Sequence, residues 1–357
     1  MQHFQKAIEM ALNNEVSWTR DPQTDASNWG VHHDDPPPWN RMFGPIHSRG
    51  PVSGVIWKDG IELARWGEPE RADLTFSVAK TYLGLLAGIA HGRGLIKDLH
   101  ETVFSTLPNI GFDSPHNRKI TWHHLLTQTS EWEGVCFGIP DTVDRYRQVH
   151  HDPKPIKGKK GDSRPLNPPG TYWEYNDVRI NQLSLALLHL FGEPLLDIFL
   201  NEILTPLGGG EDFKWIAYDQ AWVTLFSDGD NSAKKIASVP GGTHWGGGVS
   251  ITAMDQCRIG ELMLNKGYDV KSEKMLLPIG WVEAMREPCD IAPFYGRLLW
   301  LNTDCRYFPS VNAESFFMVG AGGNYVWIDP IHKLTLVVRW INPNKFQEFT
   351  RLITQSL

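Results

Sequence analysis

The stretch that decides the fold is Ser77-Val78-Ala79-Lys80, followed by the apolar run Thr81-Tyr82-Leu83-Gly84-Leu85-Leu86-Ala87-Gly88-Ile89-Ala90. Read as a helix, it puts positions i and i+3 on one face, so the Ser77 hydroxyl and the Lys80 amine are neighbours in its first turn. Free backbone N–H groups and the helix dipole favour negative charge there. A serine hydroxyl is a weak nucleophile until a base takes its proton. A lysine in dry surroundings can lose its charge and act as that base. The competing reading is a helix cap beside a solvated lysine. The run that follows argues against it, because a helix apolar on nearly every side is a buried helix. A lysine in its first turn then needs either partners or a function.

The surrounding chain of 357 residues can form one large domain or two interleaved ones. Its composition, 41% hydrophobic and 21% charged, is that of an ordinary globular protein. A net charge of −7 argues against a nucleic-acid partner. No stretch approaches the length of a transmembrane span, and the first ten residues read as a mixed amphipathic helix without a signal peptide's apolar core. The expectation is a cytoplasmic protein, with no membrane partner, in which Cys136, Cys257, Cys289 and Cys305 are free thiols. Fifteen tryptophans supply core and, in part, the lining of a cleft.

Outward from the central helix the pattern alternates. Val52–Trp57 and Ile61–Gly67 flank Lys58-Asp59-Gly60 and read as a hairpin with an Asp-Gly turn. The helix ends around Gly92-Arg93-Gly94. Ile120–Thr127 opens a short helix, in which His123 and His124 read as packing or helix-end residues. Asn176–Phe191 has helical periodicity, and Gly246–Gly248 lead into a helix over Ala253–Asn265. Tyr325–Ile328 and Leu334–Trp340 read as strands around an Asp329-Pro330 turn, with a last helix from Pro343. Val31-His32-His33-Asp34-Asp35-Pro36-Pro37-Pro38 could hold a metal, but reads rather as a polar surface loop stiffened by proline. Residues 150–170, basic and rich in proline and glycine, read as a long solvated loop. The organisation is α+β: a sheet domain over 1–94 and 241–357, with a mainly helical subdomain inserted over 95–240.

Two further elements carry chemistry. Pro169-Gly170-Thr171-Tyr172-Trp173-Glu174-Tyr175-Asn176-Asp177 sets a tyrosine on a turn before a helix, where it can relay a proton. Phe317-Met318-Val319-Gly320-Ala321-Gly322-Gly323-Asn324 leads into a strand, and its glycines let backbone approach a ligand and offer an N–H to an oxyanion. Together with Leu125–Ser130 and Gly246–Asp255, these segments in this order resemble the serine β-lactamase superfamily, in its class C-like esterase and amidase branch. The resemblance covers the chain from about residue 45.

It implies a β-lactamase/transpeptidase-like fold, an antiparallel sheet flanked by helices with an inserted helical subdomain. It also implies Ser77 as the acylated nucleophile, Lys80 and Tyr175 as the acid and base, and the N–H groups of Ser77 and Ala321 as the oxyanion hole. Asp177 stands where the family usually has Asn. It can pair with Lys80, keeping the ammonium charged and leaving Tyr175 the stronger base, or it can cap the following helix; Asn176 offers an alignment shifted by one residue. Met318-Val319-Gly320 stands where Lys-Thr-Gly or His is usual, so no cation waits for a substrate carboxylate. That favours a neutral or apolar acyl group. Asn176, Asp177, Trp132, His244, Trp245, Met318 and Gly320 are candidate substrate contacts, while Glu133 reads as a surface or structural carboxylate. The chemistry needs neither metal nor cofactor. The reading is a hydrolase for a small ester or amide, with an oligomer or cyclic-amide hydrolase, or a non-catalytic binding protein on the same fold, as alternatives. A homodimer is compatible with it.

Overall fold

The computed structural model describes residues 2–149, 157–227 and 230–357. Its frame is a six-stranded antiparallel sheet in the spatial order Trp300–Leu301, Phe316–Gly320, Asn324–Asp329, Leu334–Arg339, Ser53–Lys58, Ile61–Trp66. Early and late chain segments meet where Val55 pairs with Val337. The Asp59-Gly60 turn has φ of 50° and 72°, the left-handed pair that a two-residue hairpin of right twist demands.

Strand alternation sorts the side chains into two cores. Met318, Val326, Ile328 and Val337 join the larger one, with the central helix Val78–Gly92 and the helix Ala253–Leu264. Tyr325, Trp327, Leu336 and Val338 join the other, covered by the helices Gln5–Leu12 and Phe346–Thr354. The sheet is therefore covered on both faces. The central helix is buried continuously from Val78 to Ala90, and each of its leucines contributes about 1.5–3 kcal/mol by leaving water. Gly88 lets the Trp281 indole lie on the helix backbone, since a Cβ there would come within 2.4 Å of Nε1. The helix Asp177–Phe191 packs against the central helix, which brings residues about a hundred positions apart together. No single helix among the described residues is long and apolar enough to cross a membrane.

Three expectations change. The stretch 95–240 is more mixed than mainly helical: beside its helices it holds the hairpin Trp222–Ser227 with Asp230–Ala237, and the strand Lys214–Ile216. The return strand contains Asp230, Asn231, Lys234 and Lys235, residue types depleted in strands, which hides it from pattern reading. The 31–38 segment is a surface loop only in part: His33, Asp34, Pro37 and Pro38 are exposed, but His32 and Asp35 turn inward and are buried. Of the basic 150–170 stretch, residues 150–156 lie outside the described residues; beyond them Lys160 and Arg164 turn inward onto Asp35 and Glu131. In both cases a buried acid or base distant in sequence supplies the partner that makes burial affordable.

Candidate active site

Ser77 occupies the N-cap position of the central helix without a capping bond from its side chain, and Phe76 before it has φ 52°. A bulky residue in the left-handed region costs about 1–3 kcal/mol and persists only when its surroundings enforce it. Here Trp18, Trp29 and Trp340 surround the Phe76 ring, with centroids 5.2, 5.6 and 6.1 Å away. The turn they hold points Ser77 into a cleft of about 700 Å³ that Tyr175, Gly320 and Ala321 also line. A Cβ on Gly320 would sit 2.0 Å from the Thr75 carbonyl, so glycine is what lets the sheet edge close on the serine turn.

Lys80 lies beneath the serine. Its Nζ donates to Ser77 Oγ at 2.8 Å and to the Gly241 carbonyl at 3.2 Å, and pairs with Asp177 Oδ1 at 2.5 Å. Tyr175 lines the cleft beside Ser77, and its ring centroid is 4.8 Å from the lysine nitrogen. Alcohol, amine and phenol thus meet, with Tyr175 only 3% exposed. Gly242 passes close by, and a Cβ there would be 3.3 Å from Lys80 Nζ and 3.6 Å from Ser77 Oγ. Gly241 and Gly242 belong to the site, although only the three glycines after them stand out in the sequence.

Burial drives the Lys80 pKa below its ordinary value, against the pull of Asp177. Burial also pushes the Tyr175 phenol up, helped by the Asp177 charge, while Arg147 and the nearby Ser77 side chain work the other way. Asp177 is held well below the carboxylate range by Arg147 and Lys80, in spite of its burial. The expected Asp177 pair with Lys80 is present, and it works against burial: burial lowers the Lys80 pKa while the Asp177 charge raises it.

Asp177 does not cap its helix. Asn176 does, accepting from the N–H groups of Val178 and Arg179, so Asn176 has a structural task rather than a substrate contact. Trp132 is buried in the core with its ring edge-on to Phe112, and Met318 is buried beneath the sheet. Trp245 donates to Asp35 Oδ2 at 2.7 Å and stacks on His244 at 3.9 Å. His244 is buried behind Asp177 instead of standing at the cleft rim. Gly320 does line the cleft. Glu133 is exposed. His124 completes a capping box with Thr121.

The sequence reading missed Asp35, Asp144, Arg147 and Lys160, which surround Asp177 and His244. Arg147 bridges Asp144 at 3.2 Å and Asp177 at 3.0 Å. Lys160 pairs with Asp35 and lies 3.4 Å from Asp144 Oδ1. Asp35, Asp144 and His244 bring ligand atoms within 4.8 Å of one another, as a divalent ion would need. The Lys160 ammonium already sits among them, 3.2 Å from His244 Nε2. Arg147, Lys159 and Lys160 also line the cleft, contrary to the expectation of a wall without cations. Arg147 and Lys160 are engaged by the buried acids, whereas Lys159 is exposed.

The beta-lactamase family profile matches residues 55–350, and the chain belongs to that family, with its β-lactamase/transpeptidase-like fold. No curated protein sequence matches significantly. Among solved structures, a protein from Bacillus anthracis assigned as a 6-aminohexanoate-dimer hydrolase is 16% identical with a TM-score of 0.62, over 85% of this chain and 78% of its own. A D-stereospecific amidohydrolase from Streptomyces sp. is 16% identical with a TM-score of 0.59, over 100% and 98%. EstCE1, a hydrolase with promiscuous acyltransferase activity, is 16% identical with a TM-score of 0.59, over 85% and 92%. At these identities the likeness is one of fold.

Proposed function

We propose that the protein is a serine hydrolase that cleaves a small ester, carboxylesterase-fashion, through an acyl-enzyme. The observation that carries this is the Ser77 hydroxyl in the cleft, 2.8 Å from a buried lysine nitrogen over which the Tyr175 ring lies at 4.8 Å. In its neutral form Lys80 keeps two donors, which suit Asp177 and the Gly241 carbonyl, and turns its lone pair to the Ser77 proton. Ser77 Oγ attacks the carbonyl carbon, and the proton passes to Lys80. The tetrahedral oxyanion takes the N–H groups of Ser77 and Ala321, a stabilisation of about 3–4 kcal/mol per donor. Tyr175 protonates the departing alkoxide and is reprotonated from Lys80. Water then enters by the same route in reverse and releases the acid.

Val31, Val149, Trp300 and Val319 give the cleft apolar walls, and its two inner cations are already paired. Both suit a neutral acyl group. The structural neighbours include a D-stereospecific amidohydrolase and a protein assigned as a 6-aminohexanoate-dimer hydrolase, so amide or oligomer hydrolysis is the second reading. A matched ester and amide, compared by kcat/KM, separate the two. Ser77→Ala abolishes turnover of an activated ester and labelling by a fluorophosphonate; retained turnover refutes the assignment. A wild-type protein that takes no label is a binding protein on this fold.

A further inference from the structure

His244 is buried, 1% exposed, and stands outside the reacting trio. Its Nδ1 is 3.1 Å from Asp177 Oδ2 and its Nε2 is 2.9 Å from Asp35 Oδ2. The ring therefore sits between two buried carboxylates, and the stack on Trp245, 14° from parallel, fixes its plane. Every charged group around it is itself committed. Arg147 approaches Nδ1 to 3.3 Å, with Asp144 at 3.7 Å. Lys160 approaches Nε2 to 3.2 Å, and His32 lies within electrostatic reach. Lys80, Arg147 and Lys160 face Asp35, Asp144 and Asp177, so three cations meet three carboxylates around one imidazole.

We propose that His244, in the tautomer that donates from Nδ1 to Asp177 and accepts at Nε2 from the Asp35-paired Lys160, is a positioning residue for acylation: it holds one oxygen of Asp177 so that the other meets Lys80, and it takes a share of the carboxylate charge that Lys80 would otherwise feel. This rests on the assignment of Ser77 and Lys80 made above. The geometry divides Asp177 cleanly, with Lys80 on Oδ1 and Arg147 and His244 on Oδ2. A donor on Oδ2 drains charge from the carboxylate and loosens its grip on the lysine proton. Removing that donor tightens the grip, so fewer molecules carry the neutral amine at a given pH. The sign follows: loss of the His244 contact moves the acid limb of the acylation profile to higher pH, and loss of the Asp177 charge moves it to lower pH.

The experiment measures the p-nitrophenol burst from p-nitrophenyl butyrate between pH 5 and 10. His244→Gln places an amide near the Nε2 position and leaves Asp177 without its donor. The expected result is a burst rate lowered about 10- to 100-fold near neutral pH, a limb raised by about one pH unit, and KM nearly unchanged. His244→Asn places an amide N–H near the Nδ1 position and restores the limb. Asp177→Asn lowers the limb, and His244→Gln added to it produces no further upward move. Should His244→Gln fail to fold, the smaller His244→Ser carries the same expectation. A limb unmoved in every folded His244 variant, or moved downward, overturns the proposal. If Ser77→Ala keeps the burst, the underlying assignment has failed instead.

Discussion

Two buried ionic clusters sit on opposite sides of the first turn of one helix, and their contrast explains which is structural. Arg179 faces away from the cleft. Its Nε donates to Asp141 at 2.7 Å, and its Nη2 donates to Glu174 at 2.7 Å and Glu131 at 3.0 Å. Arg145 and Arg164 close the set on Asp141, Glu131 and Glu174. Two residues earlier, Asp177 faces the serine helix and gathers Lys80, Arg147 and His244. Both clusters are deeply buried. The first is built around a guanidinium, which no ordinary environment deprotonates and whose planar fork suits carboxylates. The second ends on an amine whose pKa burial lowers, in contact with a hydroxyl that opens into a cleft. A buried charge network holds a fold together in one case and can move a proton in the other, and the identity of the central base makes the difference.

Exchanging the bases is the sharpest way to break this contrast. Lys80→Arg keeps the pair with Asp177 but cannot become neutral, so ester turnover falls up to about 10⁴-fold; steady-state kinetics beside a denaturation curve should show lost activity with the fold retained. Arg179→Met does the reverse. It leaves Glu131, Glu174 and Asp141 around a neutral side chain and destabilises the protein by about 3–5 kcal/mol, read from urea unfolding, while any protein still folded accepts a fluorophosphonate on Ser77. Arg179→Lys keeps the charge but loses the fork, and costs less, about 1–3 kcal/mol. If it matches the wild type, geometry is not what the first cluster needs.

The smallest effect is on the acid side. His32 is buried and His123 and His124 are half-buried, and desolvation lowers each to about 4. Their folded values lie below the unfolded value of about 6.5. The stability they represent is full above pH 6.5 and declines as pH falls toward 4. Below that, Asp35, Asp177 and Glu131, all held low by their partners, add further loss as they protonate. Melting temperatures should fall in two stages, the first of them between pH 6.5 and 4; a flat curve over that range would contradict the downward shift of the three histidines.

Much of the candidate site's geometry was legible because it is local. Ser77 and Lys80 sit one helical turn apart inside an apolar run, and Tyr175 sits on a turn beside a helix start. Trp132 and Met318 misled, because their surroundings suit a cleft wall and a core equally well. Asp35 and Lys160 were read as solvent-facing, since local sequence carries no sign that each is buried against the other, 125 positions away.

What the chain order alone determined is the period of each element, the glycines at tight approaches, and the pairing of a hydroxyl with an amine in one turn. These depend on neighbours within a few residues, where backbone geometry leaves few choices. Only the tertiary structure decided which charges are dry, which carboxylate meets which cation, and that Lys80 rather than Tyr175 is the group eased toward giving up its proton. Desolvation and Coulomb interaction depend on distance in space, and strands and helices far apart in sequence set those distances.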